Sequence, residues 1–324
     1  MKYRKLGKNG PEVSEIGFGA WAIGGSWGAQ KESDSIEALE TALDRGVTFI
    51  DTAAGYGDGK SERIIGEFLK SRSESVRVCT KTPPAPGKWP PSPWCDINER
   101  YPEKYLRENI EQRLKNLQTD SLDVLLLHTW TRAWNDQPAA LEILQKIKAE
   151  GLIKQVGIST PEHDQNCVIQ LMREGLVDVV QVIYNIFEQE PAAQILPVAG
   201  ECGTGVIVRV AFDEGVLTGK YKGDETFPLG DFRRNYYAGD RLGRGVERTR
   251  KIAEEFQESS YSMPELALKF TLSPKTVSTV IPGIRNRQQA LQNAKVSDLP
   301  ELDKEALVRL REHAWNRGFW YGGK

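Results

Sequence analysis

The stretch LDVLLLH, residues 122–128, is an apolar run of strand length that ends in a polar residue. Similar runs recur along the chain, and each is followed by a longer stretch with helical spacing of its apolar residues. The runs are EIGFGA (15–20), VTFID (47–51), VRVCTK (76–81), LDVLLLH (122–128), KQVGIST (154–160), VDVVQVIYN (177–185), TGVIVRV (204–210) and STVIPG (278–283). Eight strand-helix units are therefore predicted.

The number and character of these runs predict an α/β fold, a (β/α)8 TIM barrel. Strands that are apolar on both faces are typical of a parallel sheet covered by helices, and eight of them favour closure into a barrel. A doubly wound sheet would carry GxGxxG after its first strand, and residues 17–22 match that motif only in part. A chain of 324 residues fits one barrel domain spanning residues 1–324.

Several local features accompany the barrel. The first helix is expected to be capped by Asp34 and to stop at Gly46. The opening YRKLGKNGPEVS predicts a hairpin that turns at residues 9–11 and plugs the barrel floor. Residues 212–246 lack clear periodicity and predict a long functional loop at the mouth. The final AWNRGFWYGGK, which includes Trp320, is expected to fold back over the mouth.

The composition excludes several classes of protein. The 43 Lys and Arg nearly balance the 45 Asp and Glu, so no nucleic-acid partner is expected. No apolar run approaches the roughly 18 residues of a membrane span, and no signal peptide is recognised, so a cytoplasmic protein without a membrane partner is expected. No metal site is expected, since neither the histidines nor the cysteines show ligand spacing; the cysteines are Cys79, Cys95, Cys167 and Cys202. The oligomeric state has no signal in the sequence.

Ionisable residues close consecutive predicted strands. Asp51, Lys81 and His128 end the second, third and fourth runs, and Tyr56 lies in a Gly-rich loop five residues beyond Asp51. Each has an ordinary structural explanation when taken singly. Asp51 is then a helix cap and Lys81 a solvated lysine. His128 is then a strand-end histidine and Tyr56 a loop aromatic. Because the carboxyl ends of barrel strands converge on one face, their joint occurrence predicts a catalytic site.

This combination of side chains is suited to protonating an oxygen. Tyrosine, with an ordinary pKa near 10, is a proton donor that an adjacent ammonium assists by favouring the phenolate. Lys81 is expected to lower the pKa of Tyr56, and Asp51 to hold the ammonium in place. A neutral His128 can hydrogen-bond a substrate carbonyl. The four residues thus predict carbonyl reduction by hydride transfer.

The sequence also resembles the aldo-keto reductase superfamily over nearly its whole length. The matching segments are FIDTAAGYGDGKSERIIG, VCTK, LLLHTW, GIST, QVIYN, GVLTGKY and VIPGIRNRQQALQN. The resemblance implies a barrel that binds NAD(P)H across its mouth, with Tyr56 as proton donor supported by Asp51, Lys81 and His128. The family assignment thus agrees with the assignment made from the residues themselves.

The resemblance further implies a set of cofactor contacts. For the nicotinamide and its ribose they are Gly19, Ala20, Trp21, Asp51, Ser159, Thr160 and Gln181. For the pyrophosphate strap they are Arg209, Val210, Ala211, Phe212, Asp213, Gly215, Leu217 and Lys220, and for the adenosine Gly283, Arg285, Gln289, Gln292 and Asn293. NADPH is favoured over NADH, because Arg285 can neutralise a 2′-phosphate.

Arg209 departs from the family pattern, which usually has an aromatic residue there to stack on the nicotinamide. A guanidinium is planar and can stack, but its fixed charge is expected to destabilise the oxidised, cationic ring.

The predicted substrate is a small aldehyde or ketone, sugar-like or aromatic, contacted by Trp21, Trp27, Tyr56, Trp89, His128 and Trp130. Three other functions stay open. One is a cofactor-binding regulatory protein with low turnover, similar to potassium-channel β subunits. Another is a redox-neutral sugar-transforming enzyme with tightly bound NADP(H). The third is a barrel lyase or isomerase with a phosphate site.

Overall fold

A computed structural model describes residues 1–315 of the chain. It begins with an antiparallel hairpin of β1 (Tyr3–Lys5) and β2 (Glu12–Ser14). The strands that follow pair in parallel, each with its neighbour in the chain. They are β3 (Phe18–Gly19), β4 (Phe49–Asp51), β5 (Arg77–Thr82), β6 (Leu122–Leu127), β7 (Ile153–Ser159), β8 (Val179–Ile183), β9 (Gly205–Arg209) and β10 (Val277–Val280). Each of the predicted runs overlaps one of them.

The two outer strands of this sheet meet and close the barrel. Ile16 bridges to Val280 and Gly19 to Gly283, both in parallel orientation. The N–H of Gly17 donates to the carbonyl of Val280 at 2.8 Å. Within residues 1–315 the eight parallel strands therefore form the predicted (β/α)8 barrel.

Helices follow most of the strands and cover the barrel. They are α1 (Glu32–Asp44), α2 (Lys60–Lys70), α3 (Ile97–Arg100), α4 (Glu103–Leu117), α5 (Ala139–Ala149), α6 (Val168–Arg173), α7 (Ile195–Cys202), α8 (Phe232–Tyr236), α9 (Arg241–Glu255), α10 (Met263–Leu272), α11 (Arg287–Lys295) and α12 (Lys304–Arg311). Their buried apolar faces pack on the outer faces of the strands in one continuous core.

Two predictions about helix boundaries need correction. The N-cap of α1 is Lys31, because the N–H of Ser35 already bonds its carbonyl, and Asp34 lies in the first turn, where its charge favours the helix dipole. The predicted stop at Gly46 is confirmed, with φ of 84° just after the helix.

The predicted loop at 212–246 contains α8 and the start of α9. Gly245 weakens the helical signal, and it lets α9 pack closely on Val216, since an added Cβ would lie 3.1 Å from that side chain.

The hairpin closes the floor of the barrel as predicted. Leu6 and Val13 are fully buried and join the apolar cluster inside the barrel. The other members of this cluster are Phe49, Cys79, Val124, Leu126, Val179, Ile207 and Ile281. Gln155 of β7 donates to the carbonyl of Leu6 at 3.1 Å, which fixes the turn against the strands.

Arg4 connects the same hairpin to the last helix–strand unit of the barrel. Its guanidinium bonds Glu15 at 2.9 Å, the carbonyl of Val277 at 2.9 Å and the carbonyl of Leu272 at 3.0 Å. It therefore joins β1 to the C-terminus of α10 and the start of β10.

Trp315, the last described residue, donates its N–H to the carbonyl of Phe187 at 2.8 Å, just beyond β8. The predicted return of the final segment over the mouth otherwise concerns residues 316–324, including Trp320, which lie outside the described residues. In residues 1–315, no helix has both the length and the apolar character that crossing a bilayer requires.

Candidate active site

The pleat of the strands decides which side chains enter the mouth of the barrel. Residues two positions apart on a strand face the same side of the sheet. On each strand, the residue two positions beyond a member of the inner apolar cluster therefore also points inward, one layer closer to the carboxyl end. Five such pairs are Phe49 and Asp51, Cys79 and Lys81, Leu126 and His128, Val179 and Gln181, and Ile207 and Arg209. An apolar layer at the floor is thus followed by a polar layer at the mouth.

The structure brings three of the four predicted catalytic residues into direct contact. Lys81 Nζ donates to Asp51 Oδ1 at 2.6 Å and to the carbonyl of Thr52 at 2.8 Å, and it approaches Tyr56 Oη at 3.4 Å. Lys81 and Asp51 are both almost fully buried. A buried ammonium needs such partners, and here the carboxylate and the phenol share it.

The loop between β4 and α2 holds Tyr56 in this position. Its backbone turns through Gly57, Asp58 and Gly59, all with positive φ. Gly57 packs on the backbone of Gly24, where an added Cβ would lie 2.7 Å from the Gly24 carbonyl oxygen. A glycine is therefore required directly after Tyr56, by close packing as well as by conformation.

Buried Glu62, in the first turn of α2, anchors the end of this loop. It accepts from Thr80 Oγ1 at 2.6 Å, Arg113 Nε at 2.7 Å and Asn116 Nδ2 at 2.8 Å. These bonds tie α2 to β5 and α4. The strand that carries Lys81 and the loop that carries Tyr56 are thus joined at a second point.

The electrostatics of the cluster keep Tyr56 protonated. Burial raises the pKa of Tyr56, Lys81 opposes this rise, and Asp51 adds to it. Lys81 thus lowers the pKa as expected, but desolvation of the phenolate outweighs this effect, so the pKa of Tyr56 stays above its ordinary value. Burial also disfavours the charge of Lys81, but the carboxylate of Asp51 and the phenol of Tyr56 raise its pKa overall. The resting pair is a neutral phenol beside a charged ammonium.

His128 lies across from Tyr56, with 6.1 Å between the ring centroids. Burial lowers its pKa well below the usual value, and the charges of Lys81 and Arg209 lower it further. The imidazole is therefore neutral at physiological pH, as a hydrogen-bond partner for a carbonyl oxygen requires.

Aromatic rings surround these two groups. Trp89 lies 5.8 Å from the ring of His128 and Trp21 lies 6.1 Å from Tyr56, stacked against it. Trp27 contacts Trp21 edge-on at 5.5 Å. Trp130 needs correction as a substrate residue, since it is completely buried, bonds Asn135 at 2.8 Å and presents no surface to a ligand.

The residues predicted for the nicotinamide carboxamide connect directly to the catalytic cluster. Gln181 Nε2 donates to Asp51 Oδ2 at 2.7 Å, and Ser159 Oγ donates to Gln181 Oε1 at 3.2 Å. Thr160 Oγ1 bonds the carbonyl of Gln181 at 3.1 Å. On the other side, the N–H of Ala20, between Gly19 and Trp21, donates to the carbonyl of Asp51 at 2.9 Å.

Arg209 enters the mouth from the end of β9. Its Nη2 donates to the carbonyl of Thr160 at 2.9 Å and lies 3.2 Å from Glu162 Oε1. Glu162 was not predicted as a site residue, because it belongs to no recognisable motif. The charge of Arg209 is therefore balanced by a carboxylate in the adjacent loop.

The predicted strap after β9 has an unusual backbone. Val210, Asp213 and Glu214 all have positive φ, which is rare for residues other than glycine and typical of functional sites. Ala211, Asp213, Gly215 and Leu217 are buried, whereas Phe212 is half-buried and Lys220 exposed. Tyr237 donates to the carbonyls of Asp213 and Glu214, both at 3.0 Å, and holds this turn.

The residues of this side of the mouth fit a phosphorylated ligand. Although the end of Lys220 reaches solvent, the surrounding side chains partly desolvate it and lower its pKa, and the charges of Arg233 and Arg285 lower it as well. A group of like charges of this kind is suited to an anion. Asn293 Nδ2 is buried and has no hydrogen-bond partner within residues 1–315. Gly283 is exposed and faces open space, Gln289 bonds the N–H of Arg285 at 2.8 Å, and Gln292 is exposed.

Residues 231–233 form a bridge between two mouth loops that the sequence did not predict. The N–H of Phe232 donates to the carbonyl of Ser26 at 2.9 Å, and Arg233 lies over the ring of Trp27 at 4.8 Å. Asp231 fixes Arg233 with bonds of 2.7 and 2.9 Å. The segment GDFRRNYY combines arginines with aromatic residues, which indicates a contact surface. It does not indicate which residues they contact.

Within residues 1–315, no group of three or more His, Cys, Asp or Glu could hold a metal ion. The described site contains the buried cluster of Lys81, Asp51 and Tyr56, the hydrogen-bonded pair of Ser159 and Gln181, and the positive side chains near the loop after β9.

Comparison with known proteins gives a consistent result. The sequence model of the Aldo/keto reductase family matches residues 15–314. Aldo-keto reductase YhdN of Bacillus subtilis (strain 168) is 33% identical over 239 residues, covering 73% of this chain and 69% of that protein. NADH-specific methylglyoxal reductase of Escherichia coli (strain K12) is 26% identical, covering 97% of this chain and 98% of that protein. The solved structure of aldo-keto reductase AKR11C1 from Bacillus halodurans (holo form) has the same fold, with a TM-score of 0.77 and 24% identity over 97% of this chain and 96% of that one.

Proposed function

The chain belongs to the aldo/keto reductase family of oxidoreductases, and from this premise we propose that it reduces an aldehyde or ketone to an alcohol with NADPH. In this proposal Tyr56 is the proton donor. The observation that carries it is Lys81, whose buried ammonium contacts both the Asp51 carboxylate and the Tyr56 hydroxyl.

The residues of the mouth would hold the cofactor at two places. Ser159 and Gln181 would bind the carboxamide, and Lys220, Arg233 and Arg285 would bind the phosphates. When bound, the reduced nicotinamide supplies a hydride. We expect NADPH to bind better than NADH, because the guanidinium of Arg285 lies beside the N-terminus of α11, where it can bind the 2′-phosphate that only NADPH carries. The name of the methylglyoxal reductase relative specifies NADH, so this preference needs a direct test.

The chain's own groups would then handle the oxygen. Neutral His128 orients the carbonyl by a hydrogen bond and stabilises the charge that develops on its oxygen. Tyr56 transfers its proton to that oxygen, and Lys81 stabilises the phenolate that is left. Asp51 keeps the ammonium charged and in place. The rings of Trp21 and Trp89 exclude water from the reacting atoms.

The aromatic walls favour a small carbonyl compound with an aromatic or polyhydroxylated body. We propose that the chain works as one barrel domain, in the cytoplasm, with this small molecule as its partner.

The test is a panel of aldehydes and ketones with NADPH and with NADH, followed by the loss of absorbance of the reduced nicotinamide. We expect NADPH-dependent turnover of at least one carbonyl by the wild type, and its near-complete loss in Tyr56→Phe with cofactor affinity retained. Cofactor binding without turnover of any carbonyl would contradict catalysis and favour a regulatory role. Absence of binding to either cofactor would overturn the whole proposal.

A further inference from the structure

Arg209 and Glu162 form a charge pair beside the reacting groups for which the reduction chemistry has no direct use. Arg209 is the last residue of β9, and Glu162 lies in the loop after β7. Their side chains are each about one-fifth exposed and lie 3.2 Å apart. The carbonyl of Thr160 also accepts from Arg209, at 2.9 Å, so the guanidinium is fixed from the β7 side.

The field of Arg209 reaches the catalytic groups. It lowers the pKa of both Tyr56 and His128, as a nearby positive charge does. A hydride donor must approach the carbonyl carbon whose oxygen contacts those two residues. Any group that donates the hydride therefore lies within the same field.

The nicotinamide ring changes its charge in the reaction, since it is neutral when reduced and carries +1 when oxidised. Without a neighbouring negative charge, Arg209 would favour binding of the reduced form and weaken binding of the oxidised form. Glu162 supplies the opposite charge at the guanidinium itself. Because the carboxylate lies only 3.2 Å from the guanidinium, the pair repels the oxidised ring less than Arg209 alone would.

We propose that Glu162 sets the balance between oxidised and reduced cofactor by neutralising Arg209 at the mouth of the barrel. This inference rests on the proposed function, because it concerns the nicotinamide ring. Arg209 and Glu162 act here as specificity-determining residues toward the redox state of the cofactor, a role separate from proton transfer.

The test is the ratio of the dissociation constants of NADP⁺ and NADPH, measured by titration calorimetry on four proteins. Glu162→Gln keeps the shape and removes the negative charge, so the ratio should rise by about tenfold. Arg209→Gln leaves the carboxylate alone and should lower the ratio by a similar factor. The double variant should return close to the wild-type ratio.

A structural brace would behave differently. If the pair only joined β9 to the loop after β7, each variant would weaken the binding of NADP⁺ and NADPH equally. The ratio of dissociation constants would then stay unchanged, which would overturn the inference. Asp164→Asn is the matched control, because it removes a carboxylate two positions away that pairs with Arg132 instead. A shift of the ratio in that control would also overturn the assignment to Glu162. If the wild type binds neither cofactor, the proposed function itself has failed.

Discussion

The floor and the mouth of the barrel are built from the same strands but carry opposite kinds of side chain. At the floor, Leu6 and Val13 of the hairpin join the inward residues of the strands in a cluster of apolar side chains. At the mouth, the next inward positions are Asp51, Lys81 and His128, together with Gln181 and Arg209. Two positions along each strand separate one environment from the other.

This contrast separates stability from chemistry. Burial of the floor cluster is favourable by itself, since it removes apolar surface from water. The polar layer is costly to bury, and the charge of Lys81 depends on its partner Asp51. We therefore expect changes at the floor to affect unfolding, and changes at the mouth to affect turnover or binding.

The strongest test of this separation is Tyr56→Phe. Removing the proton donor should lower kcat by about 10²- to 10⁴-fold. The affinity for NADPH and the melting temperature should stay close to those of the wild type. Tyr3→Phe is the control, because that hydroxyl lies on the hairpin at the floor, where it bonds the carbonyl of Gly46. Comparable turnover of Tyr56→Phe and Tyr3→Phe would contradict the mechanism.

The opposite pattern is expected for Leu6→Ala. The side chain is completely buried, so its truncation should lower the free energy of unfolding by about 2–5 kcal/mol. Turnover well below the melting temperature should not change. Leu229→Ala makes the same substitution on an exposed mouth loop, and denaturant titration should give a change of less than about 0.5 kcal/mol. Loss of kcat in Leu6→Ala at low temperature would show that the floor and the mouth are coupled.

A smaller effect, confined to binding, is expected for Arg285→Ala. Loss of the guanidinium should lower the affinity for NADPH by about tenfold and the affinity for NADH much less, since only NADPH carries the 2′-phosphate. Arg287→Ala removes an exposed arginine that faces Glu37 at 3.7 Å and should change neither affinity. Equal losses for the two cofactors in Arg285→Ala would show that this side chain supports the loop through Gln30 and Ala29 instead.

The smallest effect is the response of stability to acid. The pKa of His128 is depressed in the fold, so below the unfolded value of about 6.5 the unfolded chain takes up a proton that the folded chain does not. Wild-type stability should therefore fall faster than that of His128→Gln between pH 7 and about pH 5.7, by roughly 1 kcal/mol. Parallel unfolding curves for the two proteins over this range would contradict a buried neutral imidazole.

The strands and the catalytic positions were predictable because they follow from periodicity along the chain. A run such as VRVCTK shows where the strand ends and which residue it leaves at the mouth. The start of α9 was not predictable, because Gly245 weakens the helical pattern there, and its close packing on Val216 is visible only in the folded structure.

The site was predictable to the same extent. Strand ends indicated Asp51, Lys81 and His128, but no local pattern indicated that Glu162 would neutralise Arg209. Nor did the sequence predict that burial outweighs Lys81 in setting the pKa of Tyr56, since the balance depends on how much water the folded mouth excludes. Trp130 illustrates the same limit, because a tryptophan after a barrel strand can lie in the pocket or beneath it.

Arg4 has a consequence for how the chain folds. Its contact with the carbonyl of Val277 spans 273 positions of sequence, so during synthesis on the ribosome the first hairpin is complete long before its acceptor exists. Closure of the barrel must follow the emergence of the last strand, and such non-local contacts slow folding. Until then Leu6 and Val13 remain without their final partners, so their apolar side chains stay exposed to water in the growing chain.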